Sequence, residues 1–182
     1  MPGINRATIA SATLSKSAGS PRPNKTCVFI SHKREDSVLA QEVGDLLTEM
    51  EIDIWLDLRE LKAGAPSKPS EHAALAQSIE TGLANSTHLL ALITPKTQGS
   101  WWVPYEIGSA RAGGRELAFL LHKDVPTMPS YFVFGEWLVD QEAVCSWAEK
   151  ISSIIHVAKI SRIIRLTNKT TLDAYLPKHR RL

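Results

Sequence analysis

Short apolar runs alternate with longer amphipathic stretches through most of this chain, and that alternation admits few folds. "TCVFIS" (26–31) is mostly apolar, as a strand buried on both faces has to be. "EDSVLAQEVGDLLTEM" (35–50) then sets Val38, Leu39, Val43, Leu46 and Leu47 at helical spacing. The same reading gives strands at 52–57 ("IDIWLD"), 88–94 ("HLLALIT"), 115–122 ("RELAFLLH") and 131–134 ("YFVF"), with helices at 72–86 and from Pro104 to about Arg111. Asp140 stands as the cap of a last helix that carries Val144, Trp147, Ile151, Ile154 and Ile155 on one face. Strands joined through helices make right-handed crossovers. The expectation is an α/β fold, a five-stranded parallel sheet with helices on both faces.

With 182 residues, 43% of them hydrophobic, the chain has material for one core of ordinary size. Residues 1–24 carry three prolines and no periodicity and read as a disordered leader. Residues 25–158 read as the folded domain, and 159–182 as a basic C-terminal extension. The formal charge of +2 divides into +3 on 1–24 and +6 on 159–182, which leaves −7 on 25–158. Basic ends can touch nucleic acid or membranes, but solvated ends of this kind are more often inert, so neither partner is expected. The longest apolar runs, such as "LLALI" (89–93), are far too short to span a bilayer, and no apolar signal segment opens the chain. Cys27 and Cys145 lack partners at metal-ligand or disulfide spacing. A cytoplasmic protein without a structural metal is expected.

Ligands of parallel sheets bind beyond the carboxyl ends of the strands, so the loops after 31, 57, 94 and 122 hold the chemistry. The first, "SHKRED" (31–36), is basic at Lys33 and Arg34 and leads into a helix N-terminus. It reads either as a phosphate cradle or as an ordinary cap with solvated charges. Ser31 and His32 point in opposite directions at a strand end, which removes a hydrolase triad from consideration. The loop after 94 contains "SWWVPYE" (100–106), two tryptophans, a proline and a tyrosine ahead of a single carboxylate. Pro104 suits the first turn of a helix starting near 103. Glu106 then lies in that turn, held ionised by the helix dipole, with Trp102 four positions before it as a wall of the same pocket. "GSA" (108–110) lets the helix approach the sheet.

These loops, in this order, resemble a bacterial Toll/interleukin-receptor (TIR) domain. "VFISHKRED" is similar to the family's first box, "WLDLRELKAG" to its strand and loop after the first helix, and "SIETGLANSTHLLALITP" to its central helix and strand. Ser100, Trp102 and Glu106 match its Ser-x-Trp-x-x-x-Glu pattern, while "APSKPSEHAALAQS" (65–78) runs longer than the family's loop there. The resemblance covers roughly residues 26 to 155 and implies a flavodoxin-like fold. It implies cleavage of NAD at the bond to nicotinamide, with Glu106 as the catalytic carboxylate and NAD as substrate rather than cofactor. By the same matching, Ser31, His32, Lys33 and Arg34 line the cleft, Asp57 begins an adjustable wall, and Trp102 and Tyr105 flank the reacting ribose. It also implies self-association through TIR–TIR contacts. For a domain with no second core beside it, it implies an ADP-ribose-derived product, linear or cyclic, read by a separate effector in Thoeris-type antiphage defence. The alternatives are a non-catalytic TIR interaction module or host-directed effector, and a nucleoside deoxyribosyltransferase-like enzyme.

Overall fold

The computed structural model describes residues 2–8, 25–56, 68–125, 127, 130–152 and 174–176. Five parallel strands form one sheet in the order β2-β1-β3-β4-β5. They are β1 (Cys27–Ser31), β2 (Asp53–Trp55), β3 (His88–Ile93), β4 (Glu116–Leu121) and β5 (Glu136–Leu138). Among the described residues, four helices connect and cover the strands: α1 (Ser37–Glu49), α2 (Pro69–Ala84), α3 (Trp102–Ala112) and α4 (Gln141–Ile151). This is the parallel sheet with helices on both faces expected from the alternation, in the flavodoxin-like arrangement that the resemblance implies.

The side-chain alternation of β1 divides the core in two. Val28 and Ile30 face α1 and α4 with Leu39, Val43, Leu46, Leu47, Val144 and Trp147. Cys27 and Phe29 face the other way, toward Ile79 and Leu83 of α2 and Val103, Ile107 and Ala110 of α3. The first crossover runs outward from β1 to β2 and the later ones run back across β1 to β3, so right-handed connections put α1 and α2 on opposite faces. Burial pushes both cysteine thiols up to about 11, which keeps them protonated in the core at neutral pH. Among the described residues no helix is long and apolar enough to cross a membrane.

Three differences from the sequence reading lie away from the crevice. The apolar "YFVF" is not a strand: Ser130–Phe134 is a 3-10 turn. Phe132 is buried there against Phe119 (centroids 4.6 Å apart), while Val133 and Phe134 are exposed. A four-residue apolar run carries no period that separates strand from turn. The strand follows at 136–138, and a side chain at Gly135 would collide with Phe119 and the Leu117 carbonyl of β4. The second difference is α2, which starts three residues early at Pro69, so part of the stretch read as an extended loop is helix.

The third difference is at the N-terminus, where residues 2–8, read as part of a disordered leader, dock on the outer edge of β2. Asn5 pairs with Ile54 in parallel, and Ile54 N donates to Ile4 O at 2.9 Å. Arg6, 2% exposed, donates through Nε to Asp53 Oδ2 (3.0 Å), through Nη1 to Asn85 O (3.0 Å) and through Nη2 to Lys25 O (2.9 Å). A buried guanidinium is tolerable only with such partners. Part of the basic extension also returns. Leu176 is buried in the α1–α4 core, and Lys123 N donates to Tyr175 O at 3.0 Å. The remaining residues of 1–24 and of 159–182 lie outside the described residues.

Candidate active site

The chain turns outward to β2 from one side of β1 and returns to β3 on the other, so the carboxyl ends of β1 and β3 open a crevice between their loops. β1 ends at Ser31, which pairs in register with Ala91 of β3. Because Cys27 and Phe29 point to the α2–α3 face, Ser31 does too. α3 presents Val103, Glu106, Ile107 and Ala110 to that face, all buried. Glu106 is 6% exposed and Ser31 is 1% exposed, and the Ser31 hydroxyl donates to Glu106 Oε2 in a short hydrogen bond. A carboxylate in a core needs such donors, since an unbonded buried charge costs several kcal/mol.

α3 begins at Trp102 rather than 103, which makes Glu106 its fifth residue and leaves no acid in the first turn. The dipole contribution fades over that first turn, so it is not what holds this carboxylate. Pro104 is the third helical residue, where its missing N–H has no intrahelical partner to lose. Ser100 accepts from Val103 N at 3.3 Å, which gives the first residue of the Ser-x-Trp-x-x-x-Glu pattern a helix-starting role. Gly108 faces open space, and Ala110, fully buried, makes the close approach to the sheet that "GSA" was expected to give.

The aromatic wall is placed differently from the expectation. Trp101 is 91% exposed. Trp102 stacks on His72 of α2 (6.4 Å, 17°) and meets Tyr105 edge-on (5.8 Å, 89°). The Tyr105 hydroxyl donates to Glu80 Oε1 of α2 at 2.8 Å, a bond that raises its pKa. Trp102 and Tyr105 therefore form the α2 flank of α3, while Ser31 and Glu106 meet on its sheet side. Asp57 lies outside the described residues.

His32 is half-buried, and its Nδ1 lies 3.3 Å from Ile30 O. A carbonyl only accepts, so Nδ1 carries the proton and Nε2 is left as an acceptor. Burial holds its pKa below the ordinary 6.5, opposed by the Ile30 carbonyl and Asp36. Lys33 Nζ lies 3.5 Å from Glu35 Oε1 and faces Gly99 of the loop after β3. Arg34 opens the 3-10 turn Arg34–Asp36 that precedes α1.

Thr94 and Lys96 were not singled out in the sequence, and Asp36 was weighed there only as the acid of the discarded triad. Asp36, 7% exposed, makes no side-chain cap bond to α1. It accepts instead from Thr94 Oγ1 (2.7 Å) and Lys96 Nζ (3.0 Å), tying the loop after β1 to the loop after β3 across the crevice. Only the position of each at a strand's carboxyl end could have flagged them; their pairing has no local signal. Among the described residues no group of three or more His, Cys, Asp or Glu is placed to hold a metal. A pocket of about 370 Å³ beside Arg111, Arg115 and Phe134 opens at the amino ends of β4 and β5, the end of a parallel sheet that does not ordinarily take ligands.

A family model described as "TIR domain" matches residues 28–145, from β1 into α4. Among solved structures, the CMP N-glycosidase BcmB of Clostridium botulinum is similar at 14% identity and a TM-score of 0.38, over 79% of this chain and 99% of that one. A conserved protein from Enterococcus faecalis V583 is similar at 17% identity and a TM-score of 0.41, over 80% and 99%. No curated protein matches the chain.

Proposed function

Because the chain belongs to the TIR domain family, we propose that it cleaves NAD at the nicotinamide–ribose bond, with Glu106 as the catalytic carboxylate. The observation that carries this reading is the buried Ser31–Glu106 hydrogen bond at the β1/β3 crevice. It fixes one carboxylate at the place where a parallel sheet takes its ligand.

One carboxylate suffices for this bond. Sugar glycosidases use two because the leaving alkoxide has to be protonated. Nicotinamide takes the C1′–N electron pair and departs neutral, so no general acid is needed. What the transition state needs is negative charge beside the oxocarbenium-like ribose, in a site from which water is largely excluded. Glu106 supplies the charge, and Ser31 holds the carboxylate in place. Lys33 and Arg34 offer cations to the pyrophosphate, His32 Nε2 accepts from a hydroxyl, and Trp102 and Tyr105 bound the cleft from the α2 flank. Capture of the cation by water gives linear ADP-ribose, and capture by a ring nitrogen of the substrate's adenine gives a cyclic product. We assign the product a signalling role in bacterial antiphage defence, read by a separate effector.

The test is incubation with NAD followed by chromatography and mass spectrometry. Glu106→Gln keeps the side chain's shape and removes its charge. It should fold as the parent does and lose about a hundredfold in rate, some ~2.7 kcal/mol, as removal of a main electrostatic group does. Equal turnover by parent and variant would reject Glu106 as the catalytic group.

A further inference from the structure

The pocket at the amino ends of β4 and β5 lies at the opposite end of the sheet from the crevice, and nothing in the proposed chemistry uses it. Its rim sets two guanidiniums, those of Arg111 and Arg115, beside two exposed apolar side chains, Val133 and Phe134. Arg111 stands in the last turn of α3, where the helix dipole favours a cation, and its Cζ lies 3.4 Å from the centre of the Phe134 ring. A guanidinium in contact with a ring spends its flat face there and keeps its in-plane N–H groups. Among the described residues, those of Arg111 meet neither a hydrogen-bond acceptor nor a carboxylate. Arg115 donates through Nε to Leu83 O at 3.1 Å and through Nη1 to Gly113 O. Both bonds go to carbonyls, which leave its charge unmatched.

The carboxylates of the rim are turned to other partners: Glu136 Oε2 accepts from Lys150 Nζ at 2.7 Å, and Glu116 Oε2 lies 3.6 Å from His88 Nε2. Two positive and two negative side chains leave the rim as a whole near neutral, so a free phosphate gains little from it. What the rim offers is local: the unmatched donors of Arg111 next to the open parts of Phe134 and Val133. A carboxylate suits the first, because the planar fork of an arginine pairs with it through two parallel bonds, and an apolar side chain suits the second. A second copy docked patch to patch about a two-fold axis would set arginine against arginine. Along a helix that rises about 1.5 Å per residue, Arg111 stands about 15 Å from Trp101 and about 7.5 Å from Glu106, which is buried on the sheet side. The patch is separate from both.

We propose that this patch docks a peptide segment of a partner protein in which an acidic residue stands beside a large apolar one: the carboxylate pairs with Arg111, and its neighbour packs on Val133 and the open part of Phe134. The experiment is selection of a random peptide library displayed on phage against the full chain, with Arg111→Ala and Phe134→Ser as counter-targets. Peptides that survive should share an acid next to a large apolar residue. By fluorescence polarisation, a labelled copy of the enriched peptide should bind Arg111→Ala about tenfold more weakly than the parent, and Arg111→Lys, which keeps the charge but not the fork, should fall between the two. Replacing the peptide's acid by its amide should cost a similar factor on the parent and nothing further on Arg111→Ala, as a direct pair requires. Both arginine variants should melt with the parent, since the side chain is exposed. No enrichment over the counter-targets, enrichment of peptides without an acid, or equal binding to parent and variants would overturn the proposal. Sedimentation velocity of the parent and Arg111→Ala tests the other occupant: self-association that this substitution abolishes would give the patch to a second copy and overturn the partner peptide.

Discussion

Single side chains in this protein answer to what lies across from them. His32, His88 and His122 are separate in sequence, and all three are held below the ordinary 6.5, in each case chiefly by burial. A histidine with a depressed folded pKa takes its proton in the unfolded chain first. Its contribution to stability is present above 6.5 and is lost as pH falls through the folded value. The midpoint of thermal unfolding is therefore expected to drop as pH falls below 6.5. The double variant His32→Asn, His122→Asn should flatten that slope when the same scan is repeated, and an equally steep slope would show that the acid sensitivity lies elsewhere. Glu106 illustrates the same dependence. Its residue type and spacing were legible in "SWWVPYE", but the partner that makes burial tolerable is Ser31, 75 residues earlier.

Elements were legible where a long periodic pattern coincided with a terminal signal. The start of α4 is the clearest case: Asp140 accepts from Ala143 N at 2.7 Å, and the helix then buries Val144, Trp147 and Ala148 in register, though it ends at Ile151, and Ile154 and Ile155 of the expected face lie outside the described residues. Asp140→Ala removes that acceptor and should cost about 1 kcal/mol in urea unfolding with little change in m-value, as N-cap truncations do. A cost near zero would mean that packing of the apolar face alone sets the start of α4. The elements misread were the short ones. "YFVF" has strand composition but one buried ring among exposed neighbours, and the first turn of α3 runs one residue further back than Pro104 led one to expect.

At the scale of the molecule, the described surface leaves large apolar side chains in solvent: Trp101 at 91%, Val133 at 73% and Phe134 at 48% exposure. TIR domains commonly self-associate, and an exposed tryptophan on the residue before α3 is well placed for such a contact. Specific activity is expected to rise with protein concentration. Trp101→Ser should shift that rise to higher concentration while leaving the monomer's melting temperature unchanged. Sedimentation velocity and rate assays over a common dilution series check this, and a specific activity independent of concentration in both proteins would count against it. The alternating pattern by itself determined a parallel α/β sheet with helices on both faces, because burial on one or two faces is written into residues two to four apart. Only the tertiary structure decided that Ser31 meets Glu106, that Trp102 and Tyr105 turn to α2, that Asp36 ties two loops together, and that Asn5 and Arg6 dock on β2. Those contacts join residues separated by tens of positions. Which side chains face one another there follows from strand order and crossover handedness, and no local period encodes that order.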